Sequence, residues 1–476
     1  MKYLLAITLL GVFSVGNLAR AGAVVLPPEE INTEETGNPG KNAGSEDAAT
    51  KARPHARLVG FVAQEEPAPQ AGSNPEIYPS LAPSVEGGEA VDRESFGLWG
   101  DAEYLLWWMK GASLPPLVTT SPAGTARAQA GVLTTAGTQV LFGGSPVNDG
   151  VRSGGRFTAG YWFDADHTLG VEGSFLILET EGTSFAAGSD GTAFVTGTGL
   201  SRGVSGAISP AASTGGLILA RPFFNVLTGN PDAELVAYPG VLAGTVRATA
   251  SSTGLLGAEA LVDYNLCCSP CYRLDAVGGY RFLRLSDTLE VSENLTSTAT
   301  GNPSVPAGTT LVLGDHFHTR NDFHGGEIGL KGEFRRGPWV VGLLSKVAIG
   351  ANVEALDIGG STTITTPGGT PTTNPGGLLA LQSNIGHFTK TRTMVIPEFG
   401  AKVSYQVTPH LRVFAGYTFL YWGHVLRAGN QVDLSVNPNL LPPVATPVTG
   451  ALRPSPNLSN TNVWVQGIDL GMEFLF

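Results

Sequence analysis

Charge is scarce in this sequence. Asp, Glu, Lys and Arg make up 14% of its 476 residues, against roughly 25% in an average soluble domain, so the chain lacks the ionic surface of a water-soluble protein of its length. Bases are the scarcer sign. The 28 Lys and Arg face 40 Asp and Glu, a net charge of −12, and no basic footprint for nucleic acid exists. Past the N-terminus, no apolar run approaches the ~18 residues that a membrane-spanning helix needs. What is abundant is glycine, 64 residues, with 32 prolines, the two worst helix formers. A helical membrane protein and a DNA-binding protein are both disfavoured, which leaves an extracytoplasmic β-protein.

The N-terminus reads as an export signal. Lys2 precedes an almost wholly apolar stretch, 3–15, and small residues follow with Ala-x-Ala spacing at Ala19 and Ala21 or at Ala21 and Ala23. This predicts a secretory signal peptide over 1–23. Residues 24–94 are dominated by Pro, Glu, Ala, Gly and Asn without apolar period. Such a segment cannot bury enough apolar surface to offset its ordering entropy, and we expect a disordered periplasmic linker.

From Phe96 onward the pattern is period two, the signature of half-buried strands. One parity is apolar: Tyr104 and Trp108, Phe157 and Tyr161, Val171 and Phe175, Val262 and Tyr264, Ile328 and Leu330, Val403 and Tyr405, Ile468 and Leu470. The other carries the charge. Its acids are Asp101, Glu103, Glu172, Glu259, Asp263, Glu327, Glu333, Glu398, Asp469 and Glu473, and its bases Arg156, Arg273, Arg281, Lys331, Lys346, Lys402 and Arg412. One apolar and one charged face suits either a half-solvated sheet or a membrane barrel with a wet lumen.

The connections decide between them. Tight turns at 164–167, 267–271, 335–338 and 407–410 alternate with long Gly/Thr/Pro-rich stretches at 111–153, 182–251, 284–323, 352–393 and 427–461. Outer-membrane barrels pair short periplasmic turns with long outer loops in this way. Aromatics on the apolar parity gather toward both strand ends, as membrane girdles do: Tyr161, Phe163, Tyr264, Trp339, Tyr405 and Phe476 on the turn side, Trp108, Tyr280, Tyr421 and Trp464 on the loop side. The expected fold is therefore all-β, a transmembrane antiparallel up-and-down barrel over 95–476 with long extracellular loops. About ten strands can be counted, and a hairpin hidden in 182–251 would make twelve or fourteen. The expected partners are the outer-membrane bilayer and the insertion machinery, which would read the aromatic C-terminal strand ending in Phe476.

Several motifs add a resemblance. WGDAEYLLWW at 99–108, LPPLVTT at 114–120, VLFGG at 140–144 and ARPFF at 220–224 are joined by the spaced Asp315, Phe317, Thr319, Asn321, Phe323 and Gly325, by GYTFLYW at 416–422 and by WVQG at 464–467. As a set they resemble the seventh class of β-barrel porins of planctomycetes, over about 96–476. The resemblance implies an outer-membrane barrel, with the porin role resting on architecture.

Residues that suggest chemistry are few. Cys267, Cys268 and Cys271 crowd one turn with a C-x-x-C spacing, read as structural or as a local disulfide. His316, His318 and His324 share a parity and would suit zinc only if the chain folded back; rim histidines are the simpler reading. Gly-Leu-Ser-Arg-Gly around Ser201 matches a nucleophile elbow in form but lacks the strand–turn–helix context. No cofactor, no metal site and no enzyme are expected. The charged parity either lines a water path, with ten acids against seven bases (10 − 7 = 3) favouring cations, or pairs into a network that fills a narrow barrel. The functional expectation is a porin-like passive channel for small solutes, and its alternative a plugged surface-display barrel.

Overall fold

A computed structural model describes residues 97–198, 206–207, 217–299 and 305–476. The expected signal peptide (1–23), the linker (24–94) and Ser201 lie outside the described residues.

The main strands are β1 (Leu98–Met109), β2 (Val151–Trp162), β3 (Leu169–Leu178), β4 (Leu256–Cys268), β5 (Tyr272–Ser297), β6 (Thr310–Arg336), β7 (Trp339–Thr365), β8 (Gly386–Thr408), β9 (Leu411–Leu426) and β10 (Asn460–Leu475). Each pairs antiparallel with the next. β10 returns to β1, from Trp99 opposite Leu475 to Met109 opposite Val465. The sheet thus closes into an up-and-down ring of ten strands. Closure is what lipid demands, because an open edge would leave backbone N–H and C=O groups unpaired in hydrocarbon. Among the described residues no helix is long and apolar enough to cross a membrane.

The stretch 182–251 does contain further strands, Glu181–Gly188, Ala193–Thr198 and Leu242–Ser252. They do not enter the ring. Leu242–Ser252 stacks above β4 and pairs with the upper part of β5, from Leu242 opposite Ser297 to Ser252 opposite Asp287, and Glu181–Gly188 pairs with it in turn. Below Leu242–Ser252 the chain passes close to the end of β3 at Gly254, where a Cβ would meet the Leu178 carbonyl oxygen at 1.7 Å.

The expected loops 284–323 and 352–393 need correction. They are largely strand: β5 has 26 residues and β6 and β7 have 27 each, while a spanning strand needs about 9–11. The excess forms a wall standing outside the membrane, and its residue pattern says where the membrane ends. Lower on β5 the inward side carries Arg281 and the outward side Tyr280 and Phe282. Higher up, the inward side is Leu285, Leu289, Val291 and Leu295, all buried, while Glu290, Ser292 and Asn294 face out. Backbone parity is unbroken and the chemistry inverts. A search for apolar-out strands therefore stops near 284.

Against this wall sits a cap core. Its second sheet joins Val118–Ser121, Gln139–Phe142, Ile218–Asn225 and Asn230–Ala237. Leu117, Val118, Phe142, Leu219 and Phe223 from these segments are buried with Phe185, Leu313, Phe317 and Leu378–Leu381. LPPLVTT, VLFGG and ARPFF, far apart in sequence, meet here. The spaced residues Asp315, Phe317, Thr319, Asn321 and Phe323 are one inward row of β6, each 2% exposed or less. Asn321 clamps a chain crossing, taking the Leu426 N–H on Oδ1 (2.8 Å) and donating to the Leu426 carbonyl (2.9 Å).

Candidate functional site

The barrel interior has two storeys. At the turn end a cavity of about 1300 Å³ is lined by charged strand residues and by turn residues such as Trp162, Asp166, His167, Ser269, Pro270, Gln406 and His410. All the inward charges named from the sequence border it except Glu327, whose side chain has no exposure. At the loop end the inward positions turn apolar. Leu105, Trp107, Leu178, Leu255, Leu283, Phe323, Ile396, Leu420, Trp422 and Val465 form one buried layer contributed from around the ring. Gly467 lies opposite Trp107, and a Cβ there would stand 2.4 Å from the indole Cδ1, so the missing side chain makes room for the ring.

Just below this layer the charges are paired. Arg281 donates to Glu327 at 2.7 Å and to Glu398 at 2.5 Å, and lies 3.3 Å from Glu259. Lys346 Nζ reaches Glu259 at 2.5 Å and Glu327 at 3.6 Å. Arg156 joins Glu103 (2.5 Å), Asp469 (3.6 Å) and Glu398 (3.9 Å). Asp469 links the network to the apolar layer by accepting from Trp107 Nε1 at 2.6 Å and from Thr418 Oγ1 at 2.6 Å. Charges this deeply buried persist only with such partners, because an unpaired buried ion costs several kcal/mol.

Nearer the turns, Lys331 binds Glu172 and Asp263, Arg273 pairs with Asp275 at 2.7 Å and stacks on Trp162, and Arg412 meets Glu473 at 3.2 Å. Glu333 is held by Arg335 at 2.7 Å. Lys402 lies over the Phe414 ring at 4.9 Å. Asp101 Oδ1 is buried without a hydrogen-bond partner. The carboxylates of Glu259, Glu327 and Glu398 approach within 4.8 Å of one another, a spacing a metal could use, but Arg281 and Lys346 already occupy the space between them.

The girdle aromatics face out. Tyr161, Phe163, Tyr264, Tyr280, Trp339, Tyr405 and Phe476 are exposed, and Trp108, Tyr421 and Trp464 half-buried. Trp339 and Tyr405 meet edge to face at 4.9 Å, as do Tyr161 and Phe163 at 5.6 Å. Between the rims stand exposed Val262, Ile328, Leu330, Val403, Ile468 and Leu470, an apolar belt that only lipid covers at no cost. Cys267, Cys268 and Cys271 are exposed free thiols in the β4–β5 turn. His324 bonds Tyr280 Oη at the loop-side rim (2.6 Å), and His316 and His318 stand higher on the wall.

Outside the barrel, the sequence reading missed a polar anchor in the cap. Arg221 of ARPFF lies opposite Glu234 and binds Glu293 (2.5 Å) and Asp315 (2.7 Å), all three side chains of that ion-paired set being buried. Asp315 Oδ1 also accepts the backbone N–H groups of Leu378, Leu379 and Ala380 at 3.1, 3.1 and 2.8 Å. Burial, and the neighbouring Glu293, raise the Glu234 carboxyl well above its usual range. Only the places of Arg221 in ARPFF and of Asp315 in the spaced motif hinted at this role.

A family model described as "Putative beta barrel porin-7 (BBP7)" matches residues 99–476. No curated protein matches. Among solved structures, the chain is similar to the outer membrane protease OmpT of Escherichia coli, at 10% identity over 80% of this chain and 98% of that one, with a TM-score of 0.35. It is also similar to the toluene transporter TodX of P. putida, at 9% identity over 79% and 89%, with a TM-score of 0.16. Likenesses this distant carry no argument about chemistry. The expectation that the chain is no enzyme is withdrawn, an outer membrane protease being among the barrels to which the chain is similar. The closed ring of strands, its apolar belt and a match running from the first strand to the last residue lead to one conclusion: this chain is an outer-membrane β-barrel and belongs to the beta barrel porin-7 family.

Proposed function

We propose that the chain works as a closed barrel, which anchors a folded cap on the loop side and keeps a charged, water-filled vestibule on the turn side. The observation that carries this reading is the apolar layer at the loop end. Trp107, Trp422, Leu105, Ile396, Leu420 and Val425 are each 1% exposed or less, and the ion-paired network beneath ties that layer down through Asp469. An ion crossing it would shed its hydration against a layer of closely packed apolar side chains. Narrow barrels are commonly filled by their own side chains in this way.

A second reading, a solute channel, is favoured by one observation: the vestibule of about 1300 Å³. Conduction then requires the layer to move, and the acid excess among the inward residues would favour cations.

Planar-bilayer recording of the refolded full-length protein tests the choice. The closed reading expects no steady conductance from the wild type, and steps appearing in Trp107→Ala/Trp422→Ala. Stable wild-type steps with cation selectivity would overturn it in favour of the channel.

A further inference from the structure

On the outer wall above the membrane, three adjacent strands bring two imidazoles and a carboxylate into one row. His318 of β6 stands directly opposite Asp357 of β7, and Asp357 directly opposite His387 of β8. Directly opposite residues share a face, with Cβ atoms ~4.5–5.5 Å apart. His387 Nδ1 lies 2.5 Å from Asp357 Oδ1, and both side chains are about half exposed, 59% and 46%. His318 uses Nδ1 on Thr288 Oγ1 at 3.0 Å, which keeps Nε2 available. His316, two residues along β6, presents its ring to the same face, 6.4 Å from that of His318.

We propose that His318, Asp357 and His387 form a binding site for one divalent transition-metal ion of the zinc class, taken up from outside the cell. The reach of the side chains supports it. The short carboxylate is central, so an ion seated on it rises only a little above the sheet. The two longer imidazoles, one strand away on either side, lean in to meet it. The donors themselves select the metal, since imidazole nitrogen with one carboxylate oxygen suits Zn²⁺, Cu²⁺ or Ni²⁺, whereas Mg²⁺ and Ca²⁺ take oxygen sets. Exposed side chains turn to meet an ion at small cost, and His316 is the nearest further imidazole. The interior carboxylates of Glu259, Glu327 and Glu398 are closer together, but Arg281 and Lys346 neutralise them. On the wall, Arg320, two residues along β6 from His318, is engaged by Asp322 at 3.2 Å.

The test is a titration of the refolded full-length protein, without a histidine tag, with Co²⁺ followed by visible absorption and with Zn²⁺ followed by calorimetry. The expected result is one bound equivalent, at least tenfold weaker in His318→Ala, His387→Ala and Asp357→Asn, and unchanged in His410→Ala at the opposite end of the barrel. His387 is exposed and His318 and Asp357 are partly exposed, and heat-modifiable migration verifies that each variant folds. Absence of saturable binding would overturn the proposal. So would binding that survives all three substitutions and disappears in Cys267→Ser/Cys268→Ser/Cys271→Ser, which would assign the ion to the turn thiols.

Discussion

Two tryptophans in the same buried layer should respond differently to the same substitution. Trp107 and Trp422 are both essentially unexposed, at 1% and 0%. Trp107 donates its indole N–H to Asp469 at 2.6 Å, whereas Trp422 Nε1 is buried with no acceptor. Replacement by Phe keeps an aromatic ring and removes the N–H. At Trp107 it deletes a hydrogen bond to a charged group, about 1.5–3 kcal/mol in general. Asp469 still accepts from Thr418 and stays 3.6 Å from Arg156, so the lower end, about 1.5–2 kcal/mol, is expected, with a smaller cost for lost ring contacts. At Trp422 the same change loses comparable contacts but relieves a desolvated donor, a group that costs about 1–3 kcal/mol when left unsatisfied. The two effects there nearly cancel. Trp107→Phe should therefore be less stable than Trp422→Phe by about 2.5–5 kcal/mol, the lost bond at one site and the relieved donor at the other adding in the difference. Reversible denaturant unfolding in lipid vesicles, followed by tryptophan fluorescence and heat-modifiable migration, measures the difference. Equal losses, or a larger loss at Trp422, would refute the account of how the layer is tied to the network beneath it.

Leu470→Arg, on the lipid-facing belt, should cost about 2–4 kcal/mol near the midplane and lower the folded yield in vesicles, and a yield equal to that of Leu470→Ala would remove Leu470 from the belt. Glu259→Arg should also fold poorly, because it sets a third cation beside Arg281 and Lys346; good tolerance would mean that the interior is wetter than the ion pairs imply. Arg281→Met leaves Glu327 and Glu398 short of a buried partner and should cost about 3–5 kcal/mol, while Arg281→Met/Glu327→Met should recover part of that loss in the same unfolding assay, and no recovery would argue against the pairing. In the cap, Glu234 holds its proton to a higher pH when folded than the usual value near 4.5. Its contribution is therefore full below that value and falls as pH rises toward the folded pKa. Cap protection, read by hydrogen exchange, should decline across that window in the wild type and decline less in Glu234→Gln; identical pH profiles would count against it.

The sequence by itself determined the membrane-embedded part. Lipid and water impose opposite demands on the two sides of a strand, so the parity of residues such as Tyr280 and Arg281, or Ile328 and Glu327, is written locally. The strict alternation of short and long connections gave the ring its direction and a count of about ten strands, and only the pairing of the strands within 182–251 outside the ring excluded twelve or fourteen. Where the long connections went was not legible, because above the membrane the apolar side turns inward, and Leu289 opposite Phe317 reads like any polar-surfaced hairpin. Whether the charged parity lines a path or fills the bore depended on distances between strands far apart in sequence, such as Arg281 to Glu398 and Trp107 to Asp469, which no local pattern encodes. Nor could periodicity bring LPPLVTT beside ARPFF, or His318, Asp357 and His387 into one row. Those contacts follow from register, and register is fixed only when the whole sheet closes.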